Sequence, residues 1–495
     1  MPSRRGFLCA ALGGLAAAGE RPIEGAFVND AFPTGHRIRD HAAFEAPKRT
    51  EKVSVVIVGG GIAGLSAAWR LHKKGFRDFV LLEMEAQPGG NSRWGENEIT
   101  AYPWAAHYVP VPGPHATLVR ELFEELGVLA DGKWDERRLC FSPQERLYLH
   151  GRWQEGIQPE IASTARDREE YRRFQDLMLE RRASGQFTIP MERGARPSPL
   201  DRMSMRDWMA EKGFASPYLN WYIDYACRDD YGARARDTSA WAGIHYFASR
   251  EPEEKGPLTW PEGNGWIVRR LMERLQPWVR TSAPVYAILN DGRRLHVKTE
   301  AVEYVAERVI FAAPTFLASY IVEGAPPATG FVYSPWLTAN LTLERLPEET
   351  AWDNVIYDSP ALGYVAATHM SLRSHIDRSV WTFYWALADR PPSEMRTLLL
   401  EKDWSYWRDA ILHDLSRAHR DIRSAVSRID VMRIGHAMAR PAPGFLGSET
   451  RRHFASLNGP VLYANSDLSG FSIFEEAQYR GVVAAERALR DVGRG

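Results

Sequence analysis

Cysteine is scarce: Cys9, Cys140 and Cys227 are the 3 in 495 residues. They form no C-x-x-C pair and no Cys/His ligand cluster, which argues against a structural zinc site or any other metal centre. A Cys140–Cys227 disulfide stays open as a pairing, with free buried thiols the expected state. An excess of charge is missing too. Lys plus Arg number 62 and Asp plus Glu 63, for a net charge of −1. That balance speaks against nucleic acid or an anionic membrane surface as partner. No apolar run is long enough for a permanent membrane span. There is no internal repeat, no long low-complexity segment, and no serine–histidine or cysteine–histidine constellation. What the chain has is length for two domains and many aromatics: 17 Trp, 19 Tyr and 20 Phe. These fit either a large core or a flat, aromatic-lined cavity.

The first residues have the make-up of an export signal. Ser3-Arg4-Arg5-Gly6-Phe7-Leu8 fits the pattern S-R-R-x-F-L, and a short apolar stretch to Ala18 follows, with Ala16-x-Ala18 as cleavage candidate. The expectation is a leader over residues 1–19, handed to the twin-arginine export machinery, and a periplasmic destination. Residues 20–52 then form an arm before the first strand. A plain basic tail is the alternative reading. The twin-arginine route carries folded proteins, which suits a chain that must first take up a bulky cofactor.

Val55-Val56-Ile57-Val58 reads as a buried parallel strand, and Gly59, Gly61 and Gly64 fit G-x-G-x-x-G. The first glycine supplies a tight turn, the second lets the backbone approach a pyrophosphate, and the third lets helix and strand pack closely. A helix is predicted from Ser66 to Lys74, stopped at Gly75; its N-terminus offers free N–H groups to phosphate. The next strand, Phe79 to Leu82, ends at Glu83, whose distance from the glycines suits a carboxylate that holds an adenosine ribose. An acid there disfavours a 2′-phosphate and so NADP. A glycine turn without ligand is the rival reading, against which the strand, helix and acid together weigh.

Further along, Pro88-Gly89-Gly90-Asn91-Ser92-Arg93 brings flexible backbone and a phosphate-matching arginine. Tyr102 to Tyr108 is an aromatic loop. Helices are predicted over His115–Leu126 and Thr164–Ala183, with a capping box at Ser204 to Asp207 and a turn then helix between Pro261 and Leu275. Strands are predicted at Val285–Leu289, Arg294–Thr299, Ala301–Val305, Arg308–Ala313, Trp336–Leu343, Val380–Leu387, Ile429–His436 and Gly459–Asp467. One helix is expected near 395–417 and a last one from Phe474 to Arg490.

These blocks occur in an order that resembles the flavin-containing amine oxidase superfamily, which takes in phytoene-desaturase-like oxidoreductases. Val55 to Arg93, Val285 through Arg308-Val309-Ile310-Phe311-Ala312-Ala313-Pro314, and Leu462 to Asp467 with Glu475 to Ala485 carry the likeness. It implies an α/β fold: a Rossmann-like FAD-binding domain of glutathione-reductase type (53–115, 256–320 and 451–495) interleaved with an α+β substrate domain (116–255 and 321–450). It implies FAD as cofactor, bound by Gly59, Gly61, Gly64, Glu83, Gly90, Arg93, Val285, Asp467 and Glu475. The implied reaction is oxidation of an amine at its C–N bond, by hydride transfer to flavin N5, with oxygen or another electron acceptor as partner.

Three departures from the family pattern matter. Asn465-Ser466-Asp467 replaces A-G-E, so the role of Asp467 could shift one residue earlier. Glu476 replaces a glycine, and faces solvent or pairs with Arg480. Phe331 to Leu343 lacks the lysine that many amine oxidases bond through water to N5, which leaves room for a dehydrogenase. The C-terminal cysteinyl-flavin bond of some members cannot form. Candidates to face the flavin and substrate are Trp336, Tyr364, His436 and Phe471, with His107 weaker; each has core packing as its alternative. A desaturase or isomerase of an apolar, polyene-like substrate is the second reading, and a flavin-retaining maturation or binding partner the third.

Overall fold

The computed structural model describes residues 22–28, 31–194, 199–250, 256–348, 350–371, 373 and 375–493. The expected export signal lies outside them.

The described chain opens with α1 (Phe32–Arg39), β1 (Arg49–Val58), α2 (Ile62–Lys73) and β2 (Phe79–Leu82). It then leaves through α3 (Thr117–Glu125), β3 (Glu145–Leu149), β4 (Arg152–Glu155), α4 (Ala165–Ala183), α5 (Met205–Glu211), α6 (Pro217–Tyr231) and α7 (Ala240–Ala248). It returns with α8 (Gly265–Leu275), β5 (Val279–Arg280), β6 (Ala287–Asn290), β7 (Leu295–Lys298) and β8 (Val302–Phe311). A second excursion runs through β9 (Tyr333–Leu343), β10 (Asp353–Ile356), β11 (Gly363–Ala366), β12 (Ser379–Ala386), α9 (Pro392–Glu401), α10 (Trp404–Leu415) and β13 (Val426–Ala439). β14 (Val461–Tyr463) and α11 (Phe474–Val492) close the chain.

Two seven-stranded sheets result. One has the order β5-β2-β1-β8-β7-β6, with β14 beside the C-terminal half of β8. Its β5, β2, β1, β8 and β14 are parallel. Such strands are covered on both faces and must be apolar throughout, and Val55 to Val58 and Phe79 to Leu82 are buried without a break. The segments expected as two strands, Ala301–Val305 and Arg308–Ala313, form one: β8 pairs with β7 along its first half and with β14 along its second. The other sheet has the order β13-β9-β12-β11-β10-β3-β4.

Helix α2 begins at Ile62, earlier than expected, because the glycine turn leads straight into it. α11 crosses it so closely that a Cβ at Gly481 would overlap the Ala63 carbonyl. The single helix expected near 395–417 is two, divided where Asp403 caps α10 by accepting the Tyr406 N–H at 2.9 Å. Cys140 and Cys227 are free buried thiols. Among the described residues no helix is long and apolar enough to cross a membrane, and no group of three His, Cys, Asp or Glu side chains could hold a metal ion.

Candidate active site

The parallel strands of the first sheet end in a groove of about 420 Å³, lined by the glycine turn, Glu83, Arg93, Val285 and the start of α11. Glu83 is buried; its Oε2 accepts the Gly60 N–H at 2.6 Å and its Oε1 the Glu85 N–H at 2.8 Å. Burial pushes its pKa up, and the two N–H groups pull it back toward the ionised form. Gly89 and Gly90 turn with φ of +127° and +57°, and Arg93 Nε donates to the Gly90 carbonyl at 3.0 Å.

The three motif glycines separate by what surrounds them. A Cβ on Gly64 would overlap the Gly59 carbonyl oxygen, so the fold itself forbids a side chain there. A Cβ on Gly61 would meet nothing within 4 Å. Gly61 lines the groove, so what it leaves room for lies in the groove. Backbone open to a pyrophosphate, a helix N-terminus and a carboxylate for a ribose are the parts a dinucleotide requires, and these residues fit an FAD.

Asp467 lines the groove, yet its carboxylate accepts from Thr315 N–H at 2.7 Å, Thr315 Oγ1 at 2.8 Å and the Tyr333 hydroxyl. It pins the turn after β8 to the start of β9, and Asn465 and Ser466 beside it line the groove.

A second cavity of about 130 Å³ adjoins the groove; the two share Asn91, Ala106, Asn264, Ile434, Ala437 and Ser472 to Phe474. Its walls carry His107, Tyr108, Trp336 and Tyr384, and also Asp229, Asp230, Arg250 and Glu475. Arg250 pairs with Asp230 at 3.0 Å. That sets three carboxylates against one guanidinium. Burial pushes Glu475 up to about 7 and raises Asp229 and Asp230 as well. Burial also pushes His107 down to about 4, which keeps its imidazole neutral. Asp229 and Asp230 occupy the last turn of α6, the negative end of the helix dipole, where acids are unfavourable by ~0.3–1 kcal/mol each. Helix stability does not select them. Glu475 Oε2, Trp336 Nε1, Thr338 Oγ1 and Asn264 Oδ1, buried polar atoms of residues on the two cavities' walls, have no hydrogen-bond partner among the described residues. Such atoms call for a ligand or solvent.

Of the expected substrate-facing residues, Trp336 lines this cavity. His436 lines the dinucleotide groove instead, stacked on Phe316 with ring centroids 4.3 Å apart. Burial, with Arg396 nearby, lowers it to about 4. Tyr364 is a correction: it is fully buried on the opposite face of the sheet, stacked on Trp381 at 4.0 Å and hydrogen-bonded to His419 Nε2 at 2.8 Å. Phe471 is another. It is 1% exposed and packs between Trp241 and His245 in the helical core. Glu475, expected along the cofactor, lines the smaller cavity. Glu476 does not face solvent: it accepts the Met191 N–H at 2.5 Å and the Ser469 hydroxyl at 2.5 Å, and ties α11 to the 191–193 turn. Asp229, Asp230, Arg250 and Tyr384 were not singled out in the sequence. The available signal was a pair of adjacent acids in the last turn of a helix rich in aromatics.

The NAD(P)-binding Rossmann-like domain family matches residues 57–126. Hydroxyneurosporene desaturase from Cereibacter sphaeroides is 32% identical over 156 residues, 29% of each chain. The zeta-carotene-forming phytoene desaturase of Myxococcus xanthus is 26% identical over 290 residues, 52% of each. The chain thus spans about half or less of the length of these curated relatives. Among solved structures, putrescine oxidase bound to putrescine superposes with a TM-score of 0.67 at 18% identity, over 90% of this chain and 100% of that one. Cyclohexylamine oxidase from Brevibacterium oxydans gives 0.69 at 15% identity, over 90% and 100%. The chain has the fold of the flavin amine oxidase-like superfamily.

Proposed function

We propose that this chain is an FAD-dependent oxidoreductase that oxidises an amine at the carbon bearing nitrogen. The observation that carries the substrate class is the acidic lining of the smaller cavity, with Glu475 Oε2 buried, unpaired and facing in. A cation is the ligand that three carboxylates beside one guanidinium accept. FAD held in the groove would supply the hydride acceptor. The chain's own residues do the rest. Asp229 and Asp230 draw the ammonium in. Glu475, with a pKa near neutrality, takes the ammonium proton at Oε2, which leaves the neutral amine that can give up a hydride. Trp336, Tyr384 and His107 form the aromatic walls that orient the carbon and exclude water.

Yellow purified protein with a flavin spectrum, bleached by members of an amine panel without oxygen, is the expected result; peroxide on readmitting air would separate oxidase from dehydrogenase. β9 carries no lysine, which supports an acceptor other than oxygen. A yellow protein that no amine bleaches would sink the amine reading.

Desaturation of an apolar chain is the second reading, supported by the desaturase relatives. Bleaching by a polyene precursor and not by amines would establish it. The periplasmic destination rests on Ser3-Arg4-Arg5. Replacing Arg4 and Arg5 by lysine should hold the protein in the cytoplasm, as cell fractionation would read.

A further inference from the structure

Residues 22–48 precede the dinucleotide motif, and the Gly-x-Gly reading gives them no work. They touch both domains. Residues 24–28 pair with the outer edge of β13: Glu24 N–H donates to the Ser427 carbonyl, Ile429 N–H to Glu24, Val431 N–H to Ala26 and Val28 N–H to Val431, all at 2.9 Å. The arm thus adds a strand to an otherwise open sheet edge. The approach is close: Gly25 has φ of +141°, and a Cβ there would overlap the Ile429 carbonyl oxygen. Arg433 of β13 sets its guanidinium 3.8 Å from the Phe27 ring and 5.3 Å from Phe32, so one side chain holds both aromatic residues.

α1 then reaches the other domain. Its buried Ile38 lines the dinucleotide groove together with Val58, Val285, Leu317 and Ile321. Beyond it Arg37 pairs with Glu300 at 3.0 Å and lies over Phe44, which stacks on Tyr286 at 4.5 Å. The span is therefore anchored at each end, and its middle covers cofactor-binding surface.

We propose that residues 22–28 and 31–48 act as a retaining strap: the added strand and the Phe44 anchor hold Ile38 against the adenosine half of the bound dinucleotide and set how slowly it leaves. This rests on the FAD reading above. The physical content is simple. A dinucleotide held under the strap cannot leave until the strap lifts, and lifting it breaks four backbone hydrogen bonds at one end and an ion pair and ring stack at the other.

The test is the rate of FAD release, read as recovery of free-flavin fluorescence after dilution of the holoprotein. Ile38→Ser should release FAD at least ~10-fold faster, and Gly25→Val, which expels the added strand, should do the same with the groove untouched. Bound FAD should in turn protect the arm from limited proteolysis, since what the strap does for the ligand the ligand does for the strap. Should Gly25→Val fail to fold, Ile38→Ser and the proteolysis comparison still decide. Unchanged release from a folded Ile38→Ser protein, or an arm cut equally fast with and without FAD, would overturn the proposal. A protein that never binds FAD would instead defeat the functional reading beneath it.

Discussion

Tyr364 and Tyr384 sit on neighbouring strands and point to opposite faces of one sheet. Tyr364 is opposite Phe383 in the register, and Tyr384 is opposite Gly363. Tyr384 therefore shares the cavity with Trp336, while Tyr364 bonds to His419 in the core behind it. Tyr364→Phe is expected to leave FAD content and amine kinetics unchanged and to lower stability by ~1–3 kcal/mol, because His419 loses its buried partner. Tyr384→Phe should raise KM for amine at unchanged FAD content, since it frees the buried Asp353 carboxylate that the hydroxyl now serves at 2.8 Å. Denaturant melts and steady-state kinetics on the two variants check both halves.

Gly61 and Gly481 make a second contrast. Gly61→Val should fold with an unaltered melting temperature as apoprotein and bind FAD at least ~100-fold more weakly, because only the groove has room for the new side chain. Gly481→Ala should do the reverse: it wedges α11 off the Ala63 carbonyl and costs ~1–3 kcal/mol through overpacking. Flavin titration with calorimetric melts of the apoproteins would show whether the two effects separate.

The Glu475 carboxyl gives a pH signature. Its folded pKa, about 7, lies above the ordinary 4.5. Between those values the native state holds a proton that the unfolded chain has released, so its contribution to stability falls as pH rises from 4.5 to 7 and is flat beyond. Glu475→Gln removes that slope. The variant should melt higher than the parent at pH 8 without amine, and the gap should close toward pH 4.5. The same change should erase the acid limb, near pH 7, of kcat/KM for amines. A parent and variant with parallel profiles would remove Glu475 from proton transfer.

Asp229→Asn should raise KM for a cationic amine by ~10-fold, the loss of one charge worth ~1.4 kcal/mol, and leave kcat within a factor of ~2. The discriminating measurement is salt: the parent's KM should climb with ionic strength more steeply than the variant's.

The dinucleotide half of the site was legible because it is local. Gly59, Gly61, Gly64 and Glu83 lie on one strand–turn–helix–strand unit, and their spacing alone puts them together. The substrate half was not. Asp229 ends a helix, Tyr384 lies on a strand of the other excursion, and Glu475 opens the last helix; only tertiary packing brings them to one cavity. Tyr364 was lost by one step of register, because nothing local to β11 or β12 tells which face of the sheet meets the cofactor. Phe471 failed for another reason: a single aromatic in a turn packs wherever the nearest rings are, here Trp241 and His245.

The order of synthesis adds a consequence. The groove's last wall is Phe474 and its neighbours at the head of α11, and β14 is laid beside β8 only after more than a hundred intervening residues. A nascent chain that has not yet reached α11 has a glycine turn but no finished receptacle. Flavin loading must therefore wait until α11 has been made, and a truncation that trims α11 should yield colourless protein even with every N-terminal contact intact.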